Sequence, residues 1–152
     1  MENLNILARR HAGWSRVAVF ALVVITLVLA ITGVVMHVWS RDAALEVPEW
    51  QASLLHMSTV THGVLTWLFC MLAGRWIWPH VVLVWHRRAH TWVWVMGIAS
   101  LGAGALLALA GLGLLYGRAE WHDGMSVLHW WLGMAWPLVC SAHGWRWLKK
   151  RR

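Results

Sequence analysis

The stretch "VLHWWLGMAWPLVCSAHGWRW", Val127 to Trp147, is almost wholly apolar, yet it holds two histidines, His129 and His143. Imidazole inside an apolar span is costly to keep there and usually marks function. The two stand fourteen residues apart. On a helix this spacing is a rise of roughly 21 Å and leaves the side chains only about 40° apart around the axis. Both rings therefore look to one side, one near each end of the span. Gly133 follows His129 by one turn and is expected to clear space on that face. Pro137 lies between the two histidines and is expected to bend the helix. Neutral imidazole is a good axial ligand for iron. Two such rings on one face, at opposite depths, suit two b-type haems stacked across a bilayer. No C-x-x-C-H occurs, which excludes covalent c-type attachment.

Each haem then needs a second ligand at matching depth. For His129 the candidates are His62, His56 and His37. His62 is preferred, because "MSTVTHG" is similar to "MSVLHWW" around His129, and the small Ala73 lies three turns further along the same face. His56 competes closely, and His37 in "TGVVMH" is third. For His143 the candidates are His11, His90, His80 and His86. His11 is chosen because it follows Arg9 and Arg10, either of which can pair with a haem propionate. His90 is second. His80 follows Pro79 and is expected to lie beyond the helix end. His86 and His122 are expected to be solvated loop residues.

The elements that position these histidines follow from composition. The chain has 152 residues, which favours one domain, and is 60% hydrophobic and only 12% charged. A soluble domain of this size needs more polar surface. Fifteen tryptophans suit aromatic belts at two membrane interfaces. The net charge of +7 sits in short clusters between apolar runs, which argues against nucleic-acid binding. Cys70 and Cys140 both lie in apolar runs and are expected to be small core residues. Four runs are long enough to cross a bilayer: about 17–39, 54–78, 91–116 and 127–147. The first is too long for a secretory h-region and lacks an A-x-A site, so it is expected to be a retained span. The expectation is an all-α integral membrane four-helix bundle.

Charge orients it. Arg9, Arg10 and Arg16 flank the first span, and Arg75, Arg87 and Arg88 are assigned to the loop after the second. Arg146, Lys149, Lys150, Arg151 and Arg152 follow the fourth, so eleven of the 13 basic residues fall on one side. The positive-inside rule makes that side, and both termini, cytoplasmic. The other loops hold Arg41, Arg118 and five acids, Asp42, Glu46, Glu49, Glu120 and Asp123. No acidic or basic residue is expected mid-span, which argues against a pump built on intramembrane carboxylates. The third span carries small residues at Gly97, Ser100, Gly104, Ala108, Gly111 and Gly113. They suit either close helix packing or room for a flat ligand.

"RRH" at the start of span one, His56 or His62 in span two, and "HWWLGMAWPLVCSAH" in span four together resemble the four-helix di-haem cytochrome b superfamily of bacteria. Its members include bacterial cytochrome b561, the gamma subunit of formate dehydrogenase and the cytochrome b subunit of nickel–iron hydrogenases. The resemblance covers most of the chain and is strongest in span four. It implies two b haems held by His11, His56 or His62, His129 and His143 in the bacterial inner membrane. It also implies electron transfer between the quinone pool and a periplasmic or membrane redox partner, as part of a larger respiratory complex. The quinone is then expected near His143, on the cytoplasmic side. The acids of the outer loops are expected to meet a basic partner. The chain has no nucleotide loop, catalytic triad or flavin motif, so it is expected to carry electrons rather than perform bond chemistry. Two other classes fit the composition: a haem-poor structural membrane anchor, and a stand-alone quinol or superoxide oxidoreductase.

Overall fold

The computed structural model describes residues 15–39, 47–85 and 91–149. They form four helices and no other regular element: α1 (Arg16–Val38), α2 (Glu49–Trp85), α3 (Thr91–Tyr116) and α4 (Ala119–Lys149). The chain divides into two compact units, one ending at Arg87 and one beginning at Arg88. Each is a helical hairpin, α1 against α2 and α3 against α4. Helices α1, α2 and α3 are long and apolar enough to cross a membrane.

In the first hairpin, α1 starts where Ser15 caps it, its hydroxyl accepting from the Ala18 amide at 3.0 Å. Ala18, Ile25 and Thr32 are the buried residues of α1 and recur every seven residues. That is the spacing of a knobs-into-holes seam. Leu55, Ser58 and Ala73 are buried on α2. Hydroxyls within these apolar helices are returned to their own backbone: Thr26 donates to Leu22 and Thr59 to Leu55. Near the turn, Trp39 and Trp50 stack edge to face with centroids 6.1 Å apart. Outward-facing side chains are apolar, with Val17, Phe20, Ile31, Trp67 and Met71 all well exposed. Such a surface suits hydrocarbon rather than water.

Helix α2 departs from the sequence expectation at both ends. It begins at Glu49 and runs on through Pro79 to Trp85, a length of roughly 55 Å. Pro79 removes one backbone N–H from the ladder, which the turns on either side tolerate. His80 is consequently inside the helix, not beyond it, and Arg75 is an exposed helical residue, not a loop residue.

The second hairpin turns on only Gly117 and Arg118. The Gly117 amide donates to the Gly113 carbonyl at 2.8 Å, and a Cβ on Gly117 would run into that same carbonyl. The tight turn therefore requires glycine. Helix α4 begins at Ala119, eight residues before the apolar run, with Glu120 favourably placed in its first turn. His122 is thus an exposed helical residue rather than a loop residue. The expectation of four sufficiently apolar spans is met by three. Among the described residues, α4 does not reach the apolar character of the others. Its own histidines and tryptophans are the reason, since they dilute the aliphatic content of 127–144.

The small residues of α3 prove to be seats for side chains of α4. A Cβ on Gly97 would stand 3.0 Å from His143, one on Gly104 would stand 3.0 Å from Trp136, and one on Gly111 would stand 3.3 Å from His129. Gly113 lies under Met125 in the same way, at 3.1 Å. Close helix packing thus accounts for these glycines. At Gly133 a Cβ would make only an ordinary 3.9 Å contact with Leu107. Helix α4 continues unbroken through Pro137.

Candidate functional site

His62 on α2, and His129 and His143 on α4, each lie over the other helix of their own hairpin. All three are half-buried, while His37 and His56 are exposed. His62 lies over Gly33 of α1, its Cε1 3.6 Å from where a Cβ would be. His62 Nδ1 is 2.9 Å from the Thr32 hydroxyl oxygen. Thr32 directs its single hydroxyl proton to the Val28 and Leu29 carbonyls, at 2.9 and 3.1 Å. Its oxygen is therefore the acceptor, and His62 Nδ1 donates.

In the second hairpin the acceptors are bare carbonyls. His129 Nδ1 is 3.2 Å from the Leu107 oxygen and His143 Nδ1 is 3.0 Å from the Val93 oxygen. A carbonyl can only accept, so in both rings Nδ1 bears the proton. In a neutral imidazole the lone pair then falls on Nε2. His129 and His143 therefore share one tautomer, each fixed by a carbonyl of the neighbouring helix, and His62 takes the same one with the Thr32 proton held on its own helix. This is the outer-shell arrangement that orients metal-bound histidine and raises its basicity.

Each hairpin carries this feature at the same distance from the end of its own first helix. Gly33 stands five residues before the last residue of α1, and Gly111 five before the last residue of α3. In each case a histidine of the following helix lies over the glycine. His129 brings only Cε1 and Nδ1 within 4 Å of the Gly111 position.

Compared with protein-family models, curated proteins and solved structures, the chain matches none.

Of the residues expected from sequence, His62, His129 and His143 are held by a neighbouring helix, whereas His56 is exposed on α2 and His37 is exposed in the last turn of α1. His11, Arg10 and the alternates His86 and His90 lie outside the described residues. Among the described residues no three or more His, Cys, Asp or Glu side chains gather as a metal cluster. Axial ligation of a haem needs no such cluster, since the macrocycle supplies the other four donors. Sequence reasoning missed Thr32 and the Val93 and Leu107 carbonyls. The signal available for the carbonyls was the shared spacing of seven in Gly97, Gly104, Gly111 and in His129, Trp136, His143.

Proposed function

We propose that this chain is a membrane-embedded b-type cytochrome that passes electrons between the quinone pool and a redox partner protein. The observation that carries the reading is the common state of His62, His129 and His143. Each sits in a long helix, donates from Nδ1 to an oxygen of the adjacent helix, and so carries its lone pair on Nε2. That donor set fits iron in a macrocycle. In this reading His62 and His129 hold one haem and His143 and His11 the other, with Arg10 beside a propionate of the second. The likeness of "MSTVTHG" around His62 to "MSVLHWW" around His129 supports the first pairing. Haem when bound supplies a one-electron couple. Thr32, Leu107 and Val93 keep the ligand rings from rotating, and the outward-facing aliphatic side chains keep water away.

In this reading the chain is an integral protein of the bacterial inner membrane, with both termini cytoplasmic. The distribution of basic residues supports that direction. The resemblance to the di-haem cytochrome b superfamily assigns quinone to the cytoplasmic side, near His143. The acidic character of Glu46, Glu49, Glu120 and Asp123 suits a basic partner. The test is a reduced-minus-oxidised visible spectrum of the purified chain, followed by quinol addition to reconstituted vesicles. A split b-type α-band that quinol reduces is expected. A chain with no visible absorption would be an anchor, and the reading would fail.

A further inference from the structure

Three rings of α4 repeat one contact. His143, Trp136 and His129 lie over Gly97, Gly104 and Gly111. Each ring also places a nitrogen on the carbonyl four residues before its glycine: His143 on Val93, Trp136 on Ser100 at 2.9 Å, and His129 on Leu107. The coincidence has a physical cause. Each Cα–Cβ bond of a helix leans toward its N-terminus, so a side chain covers the turn before it. That turn holds the carbonyl four residues back. The carbonyl spends one lone pair on the helix ladder and keeps a second. Glycine uncovers it, and a flat ring bearing an N–H can then reach it.

We propose that Gly97 and Gly111 are positioning residues for His143 and His129. Each glycine opens a backbone acceptor that decides which ring nitrogen holds the proton and in which direction the other presents its lone pair. Gly104 offers the same seat to Trp136, whose indole donates but has no lone pair to offer a metal. The middle rung therefore packs the hairpin without serving a ligand. The first hairpin supplies a contrast: at Gly33 a Cβ would stand an ordinary 3.6 Å from His62, and the acceptor there is the Thr32 side chain, not an uncovered carbonyl. An alanine methyl would make ordinary contact at Gly33, whereas at Gly97 and Gly111 the histidine ring would have to move by a few tenths of an ångström to admit it.

For its haem readout this inference rests on the proposed cytochrome function. The experiment compares Gly97→Ala, Gly111→Ala, Gly104→Ala and Gly33→Ala in the full chain as purified with its haems. Gly97→Ala and Gly111→Ala should each raise the midpoint potential and alter the low-spin electron paramagnetic resonance signal of one haem, a different one in each case. The cause is that a lost Nδ1–H bond makes the imidazole a weaker donor. Gly104→Ala and Gly33→Ala should leave both signals in place. Unchanged potentials in Gly97→Ala and Gly111→Ala, or an equal shift in Gly104→Ala, would reduce the glycine row to packing and overturn the proposal. Electron–nuclear double resonance on the wild-type chain needs no variant. It should find a proton on Nδ1 of both rings that stays in deuterated buffer, and rapid exchange would overturn the proposal. A wild-type preparation without haem refutes the cytochrome reading instead. Nitrogen-15 NMR of the histidine-labelled chain then decides the seat: Nδ1-protonated rings that become tautomer mixtures in Gly97→Ala and Gly111→Ala support it, and rings protonated on Nε2 overturn it.

Discussion

Thr32→Val isolates the hydrogen bond that orients His62. Valine keeps the branched shape of threonine and replaces the hydroxyl with a methyl, so packing at this buried position is preserved. Thr32 is only 8% exposed. Its oxygen accepts from His62 Nδ1 at 2.9 Å while its proton goes to the Val28 and Leu29 carbonyls of its own helix. Those carbonyls keep their ladder bonds in the variant, so little is lost there. The His62 N–H is left without its acceptor in an apolar setting, which costs about 1–3 kcal/mol. A coupling of that size corresponds to roughly 5- to 150-fold in affinity. Loss of an outer-shell partner of a metal-bound histidine independently gives about 10- to 100-fold. The two routes agree, so haem held through His62 should dissociate about 10- to 100-fold faster. The control is Thr26→Val, because the Thr26 hydroxyl donates to Leu22 of its own helix at 2.7 Å. The assay is transfer of haem from the purified chain to an excess of a haem-scavenging protein, followed in the visible range. If Thr32→Val releases haem no faster than Thr26→Val and wild type, Thr32 does not hold His62 as a ligand and the reasoning fails.

Three further outcomes follow from the same geometry. His62→Ala should remove one haem, while His56→Ala, at an exposed position of α2, should spare both; haem content per chain separates them, and the reverse result would move the ligand to His56. Trp136→Phe keeps the ring over Gly104 but loses the N–H bond to Ser100, so the chain should lose about 1 kcal/mol of stability in detergent unfolding and keep both haems. Gly117→Ala should destabilise the second hairpin by roughly 1–3 kcal/mol because its methyl meets the Gly113 carbonyl, as read by a lowered thermal midpoint.

Helices α1 and α3 were legible to within a residue. Their apolar runs are uninterrupted and end at clear signals, Ser15 before the first and Gly117 after the third. The ends of α2 and α4 were not. "PEWQAS" and "AEWHDGMS" are polar enough to stop an apolar run, yet they form good first turns, so each helix starts well before its hydrophobic part. Pro79 misled in the same direction, since one missing N–H does not end a helix whose neighbouring turns are intact. The histidine spacing in α4 was plain from sequence. Its acceptors were not, because they are carbonyls, which every residue has. Which carbonyl meets which ring depends on the hairpin register. Once the turn is fixed at Gly117 and Arg118, Gly111 meets His129 and Gly97 meets His143, and the shared spacing of seven does the rest. Thr32 was hidden for the same reason: its role appears only when α1 and α2 are in register.

The most direct test of the central claim is a pyridine haemochrome count on the purified full-length chain, set against its protein concentration. Two non-covalent b haems per chain are predicted, falling to one in His129→Ala and to one in His143→Ala, with a different spectral component lost each time. A wild-type chain that carries no haem, or whose haem content is untouched by both substitutions, would contradict the account.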